Sequence, residues 1–516
     1  MSKEDFRSII EKAHTNKGRE IVLGTAMIDG APLDKALIKA PLKTMNRHGL
    51  IAGATGTGKT KSLQVMAEAL SEQGVPVLLM DIKGDLSGLA APGSPHPKID
   101  ERMAHIGIEY VQQGFPIEPL TLSDEAGVRL RATVSEFGPV LLSKMLELND
   151  TQSGIMALVF KYCDDNKLPL LDLKDLKKIL QYVTDEGKES VEKEYGRIST
   201  ASVGTITRKI IELEQQGAER FFGERSFDPA DLLRTDKDGR GMISVLRLVD
   251  IQDRPKLFST FMLCLLAEIY STFPEQGDSD EPRLIMFIDE AHLLFKEASD
   301  ALLDQLDSII KLIRSKGVGI YFCTQVPDDI PENILSQLGF RVQHALRAFT
   351  ARDRKKIKLV AENFPPSEYY DIDELLTTLG IGEALVTVLN EKGIPTPLAA
   401  VLMSAPRSRM GILTDDELKK IISKSEILDE YNEEIDRRSA YELLNEKIEA
   451  AAAPEPETKK TTKKSESSND ESLVEQLSKN TMVRQLGNTL MREISRGLMG
   501  ALGVKPRRKR RSTSLW

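Results

Sequence analysis

Short apolar runs alternate along the chain with longer segments in which apolar residues recur at helical spacing. An apolar run between turn residues indicates a buried strand, whereas recurrence every three to four residues indicates an amphipathic helix. The pattern predicts strands at residues 50–52, 75–80, 242–248, 284–288, 318–324 and 341–346, and helices at 62–71, 256–273 and 300–316. Because strands and helices alternate, we predict an α/β fold with a doubly wound, mostly parallel sheet.

Other segments depart from this alternation. At residues 1–46, apolar clusters are broken by the turn signals Asp29-Gly30 and Ala31-Pro32, which predict a small β-hairpin or a lid. Residues 121–235 show few strand signals, and we predict a helical insertion there with helices at 134–148, 152–166, 173–184 and 202–216. The α/β core is therefore expected in two parts of the chain, 47–120 and 236–405. The second part is predicted to end in helices at 353–361 and 372–379, followed by a hairpin-like pair of strands at 384–390 and 396–403.

The C-terminal part of the chain changes composition. A helical extension is predicted at 406–449, followed by a disordered linker at 450–472, because that stretch lacks the apolar residues that would offset the entropy of ordering it. Residues 473–502 have the spacing of an amphipathic helix, and Lys505 and Arg507 to Arg511 form a basic, flexible tail. Such a tail is either simply solvated or an electrostatic tether for DNA phosphates, with an anionic membrane as the weaker candidate.

Composition narrows the class of protein. The 516 residues carry a formal net charge of −9 and are 41% hydrophobic, which is typical of a globular protein and not of a uniformly basic nucleic-acid binder. No apolar run reaches the roughly 18–20 residues that cross a bilayer, and the N-terminus lacks a signal-peptide core, so we expect a cytoplasmic protein. The three cysteines and six histidines show neither disulfide nor metal-hydrolase spacing.

Residues 53–60 match the phosphate-binding pattern GxxxxGK[ST], with a predicted strand before them and a predicted helix after them. Glycines let the backbone N–H groups cradle phosphates, Lys59 reaches the β- and γ-phosphates, and Thr60 ligates Mg²⁺. The alternative is that residues 53–60 form only a flexible strand-to-helix turn that binds no phosphate. We therefore predict ATP and Mg²⁺ as cofactors, bound by Gly53, Ala54, Thr55, Gly56, Thr57, Gly58, Lys59, Thr60 and Lys61.

Two carboxylates, Asp289 and Glu290, follow the apolar strand at 284–288. A buried parallel strand would deliver them to the sheet edge beside the phosphate loop. Asp289 is predicted to hold Mg²⁺ through water, and Glu290 to orient or activate the water that attacks the γ-phosphate. The alternative is a pair of surface acids at the start of a helix.

Two further polar residues end predicted strands. Gln325 follows 320–324 and is a candidate sensor of the γ-phosphate, or else it only marks the strand end before Pro327. Asp81 ends the second strand and would face the same cleft, or else it caps the turn that follows.

Together these motifs resemble one family. The residues that carry the resemblance are His48-Gly49-Leu50 before the phosphate loop, 81–85, Asp289-Glu290-Ala291-His292, Thr324-Gln325, and the segments 148–154 and 343–350. They are similar to the HerA and FtsK superfamily of hexameric DNA-pumping ATPases and, more closely, to bacterial HerA-like proteins of the YjgR type, over residues 18–405.

The resemblance implies a RecA-like P-loop NTPase core that assembles as a homo-hexameric ring, with ATP at each subunit junction and an arginine finger from the neighbouring subunit. Arg314 is the first candidate for that finger, and Arg347 and Arg341 are alternatives. An arginine in this position would neutralise charge that develops on the γ-phosphate. The other interpretation of Arg314 is a solvated arginine within the basic stretch 311–316.

The sequence and the family resemblance leave two functions open. The first is a Mg²⁺-dependent ATPase that moves along or remodels DNA, as a translocase or helicase. The second is an ATP-gated assembly or scaffold protein whose helical insertion or C-terminal tail binds a protein partner.

Overall fold

A mixed sheet organises the part of the chain that this computed structural model describes, namely residues 3–123, 125–251, 254–277, 279–296, 298–433, 435 and 437–452. Its twelve described strands lie in the order β2-β1-β12-β11-β10-β3-β9-β8-β4-β7-β5-β6. They are β1 (Glu20–Ile28), β2 (Ala31–Pro41), β3 (Gly49–Ala52), β4 (Val77–Asp81), β5 (Ile117–Thr121), β6 (Val128–Arg129), β7 (Ile243–Arg247), β8 (Leu284–Ile288), β9 (Val318–Thr324), β10 (Phe340–His344), β11 (Glu383–Thr387) and β12 (Ala399–Met403).

The strand directions divide this sheet in two. From β10 through β3, β9, β8, β4, β7 and β5 to β6, neighbouring strands are parallel. From β10 through β11, β12 and β1 to β2 they are antiparallel. The predicted hairpin at the N-terminus is present, but the lid is wrong, because β1 pairs with β12 and so makes the hairpin part of the main sheet.

Helices cover both faces of the sheet. They are α1 (Lys3–Ala13), α2 (Lys59–Glu72), α3 (Pro97–Ile106), α4 (Val134–Met145), α5 (Asp150–Asn166), α6 (Leu173–Tyr182), α7 (Lys188–Tyr195), α8 (Thr200–Gln215), α9 (Pro255–Thr272), α10 (His292–Phe295), α11 (Asp300–Ile313), α12 (Glu332–Leu335), α13 (Ala351–Glu362), α14 (Ile372–Thr378), α15 (Asp415–Ile422), α16 (Leu428–Asn432) and α17 (Ala440–Ala452). No helix of the described ranges is long and apolar enough to cross a membrane.

In the central parallel strands, alternate side chains pack into two separate hydrophobic cores. Leu78 and Met80 of β4 lie in one core with α5, α9 and α11, whereas Val77 and Leu79 lie in the other with α1 and α2. Successive side chains of a strand point to opposite faces, so a continuous apolar run fills both cores at once. The central strands are therefore buried on both faces, as the uninterrupted apolar runs predict.

Two details of the predicted elements are corrected. The helix predicted at 134–148 is kinked, because Gly138 adopts φ 68° immediately before Pro139, which has no N–H to continue the hydrogen-bond ladder. Residues 450–452 continue α17, so the predicted linker does not begin at 450. The remainder of the linker, the amphipathic helix and the basic tail lie outside the described residues, and the proposed domain boundaries stay predictions.

Candidate nucleotide site

The carboxyl ends of four neighbouring parallel strands bring the predicted site residues to one edge of the sheet. In register, Ala52 of β3 lies beside Thr324 of β9, and Ile288 of β8 lies between Phe322 of β9 and Met80 of β4. The residues that follow these strands are the phosphate loop, Gln325, the Asp289-Glu290 pair and the turn after Asp81. The strand pattern of the sequence predicts these residues at this edge, and the sheet brings them together.

The phosphate loop takes a conformation that depends on its glycines. Gly53, Gly56 and Gly58 have φ values of 154°, 78° and 119°, which L side chains rarely adopt. A Cβ atom on Gly53 would lie 2.5 Å from the Cβ of His344. Glycine is therefore required there for space as well as for conformation.

Backbone hydrogen bonds fix the loop to three neighbouring segments. The N–H of Gly53 donates to the Thr324 carbonyl at 3.2 Å, and the N–H of Ala54 donates to the Ala345 carbonyl at 2.9 Å. The Thr57 carbonyl accepts from the N–H of Gly382 at 2.9 Å. The loop is thus held in shape by the protein itself, which reduces the ordering that phosphate binding would require.

Lys59 begins α2 and folds back over the loop. Its Nζ donates to the Gly53 carbonyl at 2.7 Å and to the Ala54 carbonyl at 3.2 Å. Burial lowers the pKa of Lys59, while the nearby carboxylates of Glu290 and Asp289 act in the opposite direction. The ammonium therefore lies where the loop and the acidic strand end meet.

Asp289 is deeply buried, with 2% of its surface exposed. Its Oδ2 atom has no hydrogen-bond partner within the described ranges, and burial raises its pKa to about 6. A buried carboxylate oxygen without a donor is costly unless a cation satisfies it. Together with the half-buried Thr60, it offers the hard oxygen ligands that Mg²⁺ prefers.

Glu290 is positioned differently. It has φ 45°, a left-handed conformation unusual outside glycine and often found where function requires it. Its carboxylate forms an ion pair with Lys83 and lies 3.2 Å from Nδ1 of His292. Burial opposes ionisation of Glu290, but the hydrogen bond and charge of Lys83 hold its pKa below the usual value.

Lys83 was not among the predicted site residues, although it lies in the 81–85 segment on which the family resemblance rests. Its ammonium joins the strand end of β4 to the strand end of β8. The sequence did contain a signal for this role: a lysine follows one core strand closely, just as the two acids follow another. Only the strand order shows that β4 and β8 are neighbours.

Asp81 and Gln325 lie at the predicted edge but differ in what they contact. Asp81 Oδ1 accepts from the N–H groups of Gly84 and Asp85, and Oδ2 accepts from that of Leu86 at 3.1 Å. The turn-capping interpretation of Asp81 therefore fits the structure. Gln325 is exposed at the end of β9, beside the strand that carries Glu290.

The three candidate arginines occupy different places. Arg314 is exposed before β9 begins, at the sheet edge opposite the phosphate loop. Arg347 is exposed beyond the carboxyl end of β10, on the same side as the loop. The guanidinium of Arg341 donates to three backbone carbonyls of its own chain at 3.2–3.4 Å, which leaves it poorly placed to act on a neighbour.

His48, part of the family motif, fixes the segment that carries Arg314. Its Nε2 donates to the Ile310 carbonyl at 2.8 Å, and its Nδ1 accepts from the N–H of Ile320 at 3.0 Å. Burial lowers the pKa of His48 to about 4, so the imidazole is neutral and this tautomer is maintained. The end of α11 and the start of β9 are therefore held at a set distance from β3.

Distant segments of the chain brace the helix that follows the phosphate loop, and no sequence pattern predicted these contacts. His344 donates from Nδ1 to the Glu383 carbonyl and accepts at Nε2 from the Ser62 hydroxyl, both at 2.9 Å. Glu68 of α2 accepts from the N–H of Arg407 at 2.7 Å and from the N–H and hydroxyl of Ser408. The partners of Ser62 and Glu68 lie more than 280 residues away in the chain, so no local pattern predicts them.

The side chain of Lys61 belongs to this bracing. Its Nζ donates to the Met410 carbonyl at 2.6 Å and to Oε1 of Gln64 at 3.1 Å. The ammonium is therefore directed to the segment that follows β12. The predicted place of Lys61 among the nucleotide-binding residues stays a prediction.

Comparison with known proteins agrees with this geometry. A family model described as Helicase HerA-like C-terminal matches residues 28–509. The chain belongs to this HerA-like family. The predicted membership of the HerA and FtsK superfamily is thereby confirmed, whereas the finer resemblance to YjgR-type proteins stays a prediction.

Relatives and solved structures of the HerA-like chain extend the comparison. The DNA double-strand break repair helicase HerA of Sulfolobus acidocaldarius is 21% identical over 362 residues, covering 70% of this chain and 66% of that protein. The protein of the same name from Saccharolobus solfataricus is 22% identical over 352 residues, covering 68% and 63%. This chain therefore spans just under two thirds of the length of these relatives.

Among solved structures, the bacterial conjugative coupling protein TrwBdeltaN70 is similar with a TM-score of 0.51 at 14% identity, covering 79% of this chain and 95% of that one. TrwB in complex with the ATP analogue ADPNP also gives 0.51, at 16% identity, covering 80% and 96%. These likenesses concern the fold. They confirm the predicted RecA-like P-loop core.

Proposed function

We propose that this HerA-like chain is a Mg²⁺-dependent ATP hydrolase that drives movement along DNA, as a ring-forming translocase or helicase. The observation that carries the proposal is the meeting of Lys59 with Asp289 and Glu290 at one sheet edge. A phosphate loop alone would bind nucleotide. A loop facing a buried, unpaired carboxylate and an ionised one has the groups that hydrolysis needs.

Each group has a distinct role in this proposal. The loop N–H groups and Lys59 bind the β- and γ-phosphates, which replace the carbonyl partners of the ammonium. Thr60 and Asp289 hold Mg²⁺, which would neutralise phosphate charge when bound. Glu290 accepts the proton of the attacking water, and Gln325 contacts that water or the γ-phosphate. The solved complexes of TrwB with ADPNP, and with ADP and Mg²⁺, support these ligands by analogy of fold.

The ring is supported by the position of Arg314. The seven-residue strand β9 separates it from the carboxyl edge, a span of about 23 Å at roughly 3.3 Å per residue. Arg314 is therefore too distant to serve the phosphate loop of its own subunit. A neighbour's loop is the site that it could serve, with Arg347 as the alternative from the opposite edge.

DNA as the substrate is supported by the relatives, which are named as DNA double-strand break repair helicases. The test measures ATP hydrolysis with and without duplex or single-stranded DNA. We expect hydrolysis to require Mg²⁺ and to rise with DNA. A rate unchanged by DNA but raised by a protein partner would favour the ATP-gated scaffold instead.

The assignment of the phosphate loop has its own test. Lys59→Ala should abolish hydrolysis because the phosphates lose their cation, while thermal unfolding should change little. Lys188→Ala, on an exposed lysine of α7, is the matched control and should hydrolyse ATP at the normal rate. Near-normal turnover by Lys59→Ala would remove the assignment.

A further inference from the structure

A large polar cavity lies apart from the nucleotide site. Its volume is about 1250 Å³, above the roughly 300–1,000 Å³ typical of small-ligand sites. Five parts of the chain line it: the carboxyl ends of β5 and β6, one face of α6, one face of α8, residues 219–224, and the segment that leads into α17 with the first turn of that helix. None of the predicted nucleotide-site residues lies among its described lining.

The lining is more basic than the chain as a whole. Its described residues include seven basic and four acidic ones, whereas the whole chain carries a net charge of −9. The basic residues are Arg129, Arg131, Lys174, Lys177, Lys178, Arg220 and Arg437. Part of this charge is held internally, since Lys177 lies 2.7 Å from Glu214 and Arg437 lies 3.6 Å from Glu224.

Helical periodicity explains why α6 presents its lysines to the cavity. Leu176, Ile179 and Leu180 pack into the core of the insertion, and that packing fixes the rotation of the helix. Lys174 and Lys178, four residues apart, therefore lie on one outer face that borders the cavity. The facing wall of α8 consists of Thr200, Val203, Gly204 and Thr207, whose modest size leaves the space open.

An aromatic side chain stands beside this basic face. Tyr441 lines the cavity and is 43% exposed, although it is a large and partly apolar residue. The Nζ atom of Lys178 lies 5.8 Å from the centre of its ring. The N–H of Tyr441 donates to Oδ1 of Asp175 at 2.8 Å, which fixes the start of α17 against α6. The ring is thus displayed from a rigid backbone.

We propose that this cavity, the α6–α8 groove, binds single-stranded nucleic acid. A concave basic surface follows the phosphates of a strand, and an exposed aromatic ring stacks on a base regardless of its sequence. The Thr200 hydroxyl at the start of α8 can donate to a phosphate oxygen, whereas that of Thr207 donates to the Val203 carbonyl at 3.0 Å. The concave shape suits a single strand better than a rigid duplex.

The groove extends the DNA part of the proposed function and is independent of ATP hydrolysis. It opens at the carboxyl ends of β5 and β6, on the same sheet edge as the phosphate loop. Five strand spacings separate β5 from β3, or about 24 Å at roughly 4.8 Å each. A strand in the groove would therefore not occupy the nucleotide site.

The test is photocrosslinking of the full-length protein to an oligothymidylate that carries 5-iododeoxyuridine, followed by mass-spectrometric mapping. We expect the crosslink at Tyr441. Binding of labelled oligothymidylate should weaken about 10-fold or more in the double variant Lys174→Glu, Lys178→Glu, and the log–log salt slope should become shallower by about 1.4, because two phosphate contacts are lost. Tyr441→Ala should weaken binding about 5-fold or more, whereas Tyr441→Phe should retain it.

The matched control is Lys188→Glu, Lys193→Glu, which makes the same charge change on exposed lysines of α7 outside the groove. It should keep the crosslink, the affinity and the slope of the wild type. A crosslink mapped elsewhere, or an affinity unaffected by the α6 reversals, would overturn the proposal, as would equally tight groove binding of duplex DNA. Lys59→Ala should still crosslink at Tyr441, so failure of the ATPase assignment and failure of the groove are separate results.

Discussion

Two acids that follow one strand experience opposite electrostatics. Asp289 is buried with one oxygen unpaired, and its pKa is raised to about 6, whereas Lys83 holds the pKa of Glu290 below its usual value. Divided environments of this kind are how proteins give two carboxylates different tasks. This difference agrees with the proposed roles, in which Asp289 binds a cation and Glu290 stays ionised and acts as the base.

Glu290→Gln is the direct test of the base. The variant should keep ATP and Mg²⁺ affinity, because Lys59 and Asp289 are unchanged, but hydrolysis should slow about 100-fold or more. Fluorescent-nucleotide titration and steady-state turnover measure the two effects. If the variant instead lost affinity for ATP and Mg²⁺ but hydrolysed bound ATP at the normal rate, the roles assigned to Asp289 and Glu290 would have to be exchanged.

Lys83→Ala tests the ion pair through pH. Removing the ammonium should raise the pKa of Glu290, and a base with a higher pKa becomes protonated at a higher pH. The acidic limb of the turnover profile should therefore move to higher pH in Lys83→Ala, and Lys83→Arg should keep the wild-type position. An unchanged limb would mean that Glu290 is not the group that titrates.

At the scale of elements, the helix after the phosphate loop is braced by a segment that follows β12. Glu68 of α2 is 3% exposed and accepts three hydrogen bonds from Arg407 and Ser408, yet burial still raises its pKa to about 7. The folded protein thus retains a proton that the unfolded chain releases near pH 4.5. The stability this group contributes is present at low pH and is lost as pH rises through about 7.

Glu68→Gln should remove that dependence. The free energy of unfolding of the variant, relative to wild type, should increase by about 3 kcal/mol between pH 5 and pH 8, since one pKa unit corresponds to about 1.4 kcal/mol. Denaturant unfolding at several pH values measures the difference. A constant difference between the two proteins would show that Glu68 does not titrate in this range.

Prediction from sequence succeeded where the signal was local. Strands β3, β8 and β9 and the loop at 53–60 are set by consecutive apolar residues, glycines and a lysine, so the edge of the site could be predicted. Strand β5 was missed because Pro119 and Glu118 interrupt its apolar run, although Arg234 neutralises the buried Glu118 at 2.8 Å. The bracing of α2 could not be predicted, because its partners meet only after the whole sheet has formed.

At the scale of the whole molecule, the opposite placement of Arg314 and the phosphate loop predicts complementation between subunits. A mixture of Lys59→Ala and Arg314→Ala subunits should regain part of the activity that each lacks alone, because some junctions combine an intact loop with an intact arginine. Turnover of co-purified mixtures measures this. Inactive mixtures with demonstrated co-assembly would count against Arg314, and Arg347 would be tested next.

The pairing of β1 with β12 also has a consequence during synthesis. Residues 24–27 leave the ribosome before their partners at 400–403, which follow some 375 residues later. At roughly 5–20 residues per second, one edge of the β1–β2 hairpin waits about 20–75 s for its neighbour. The nascent chain therefore exposes an unpaired strand edge for that time, and α1, which packs Phe6 and Ile10 against the hairpin, is one element that could shield it.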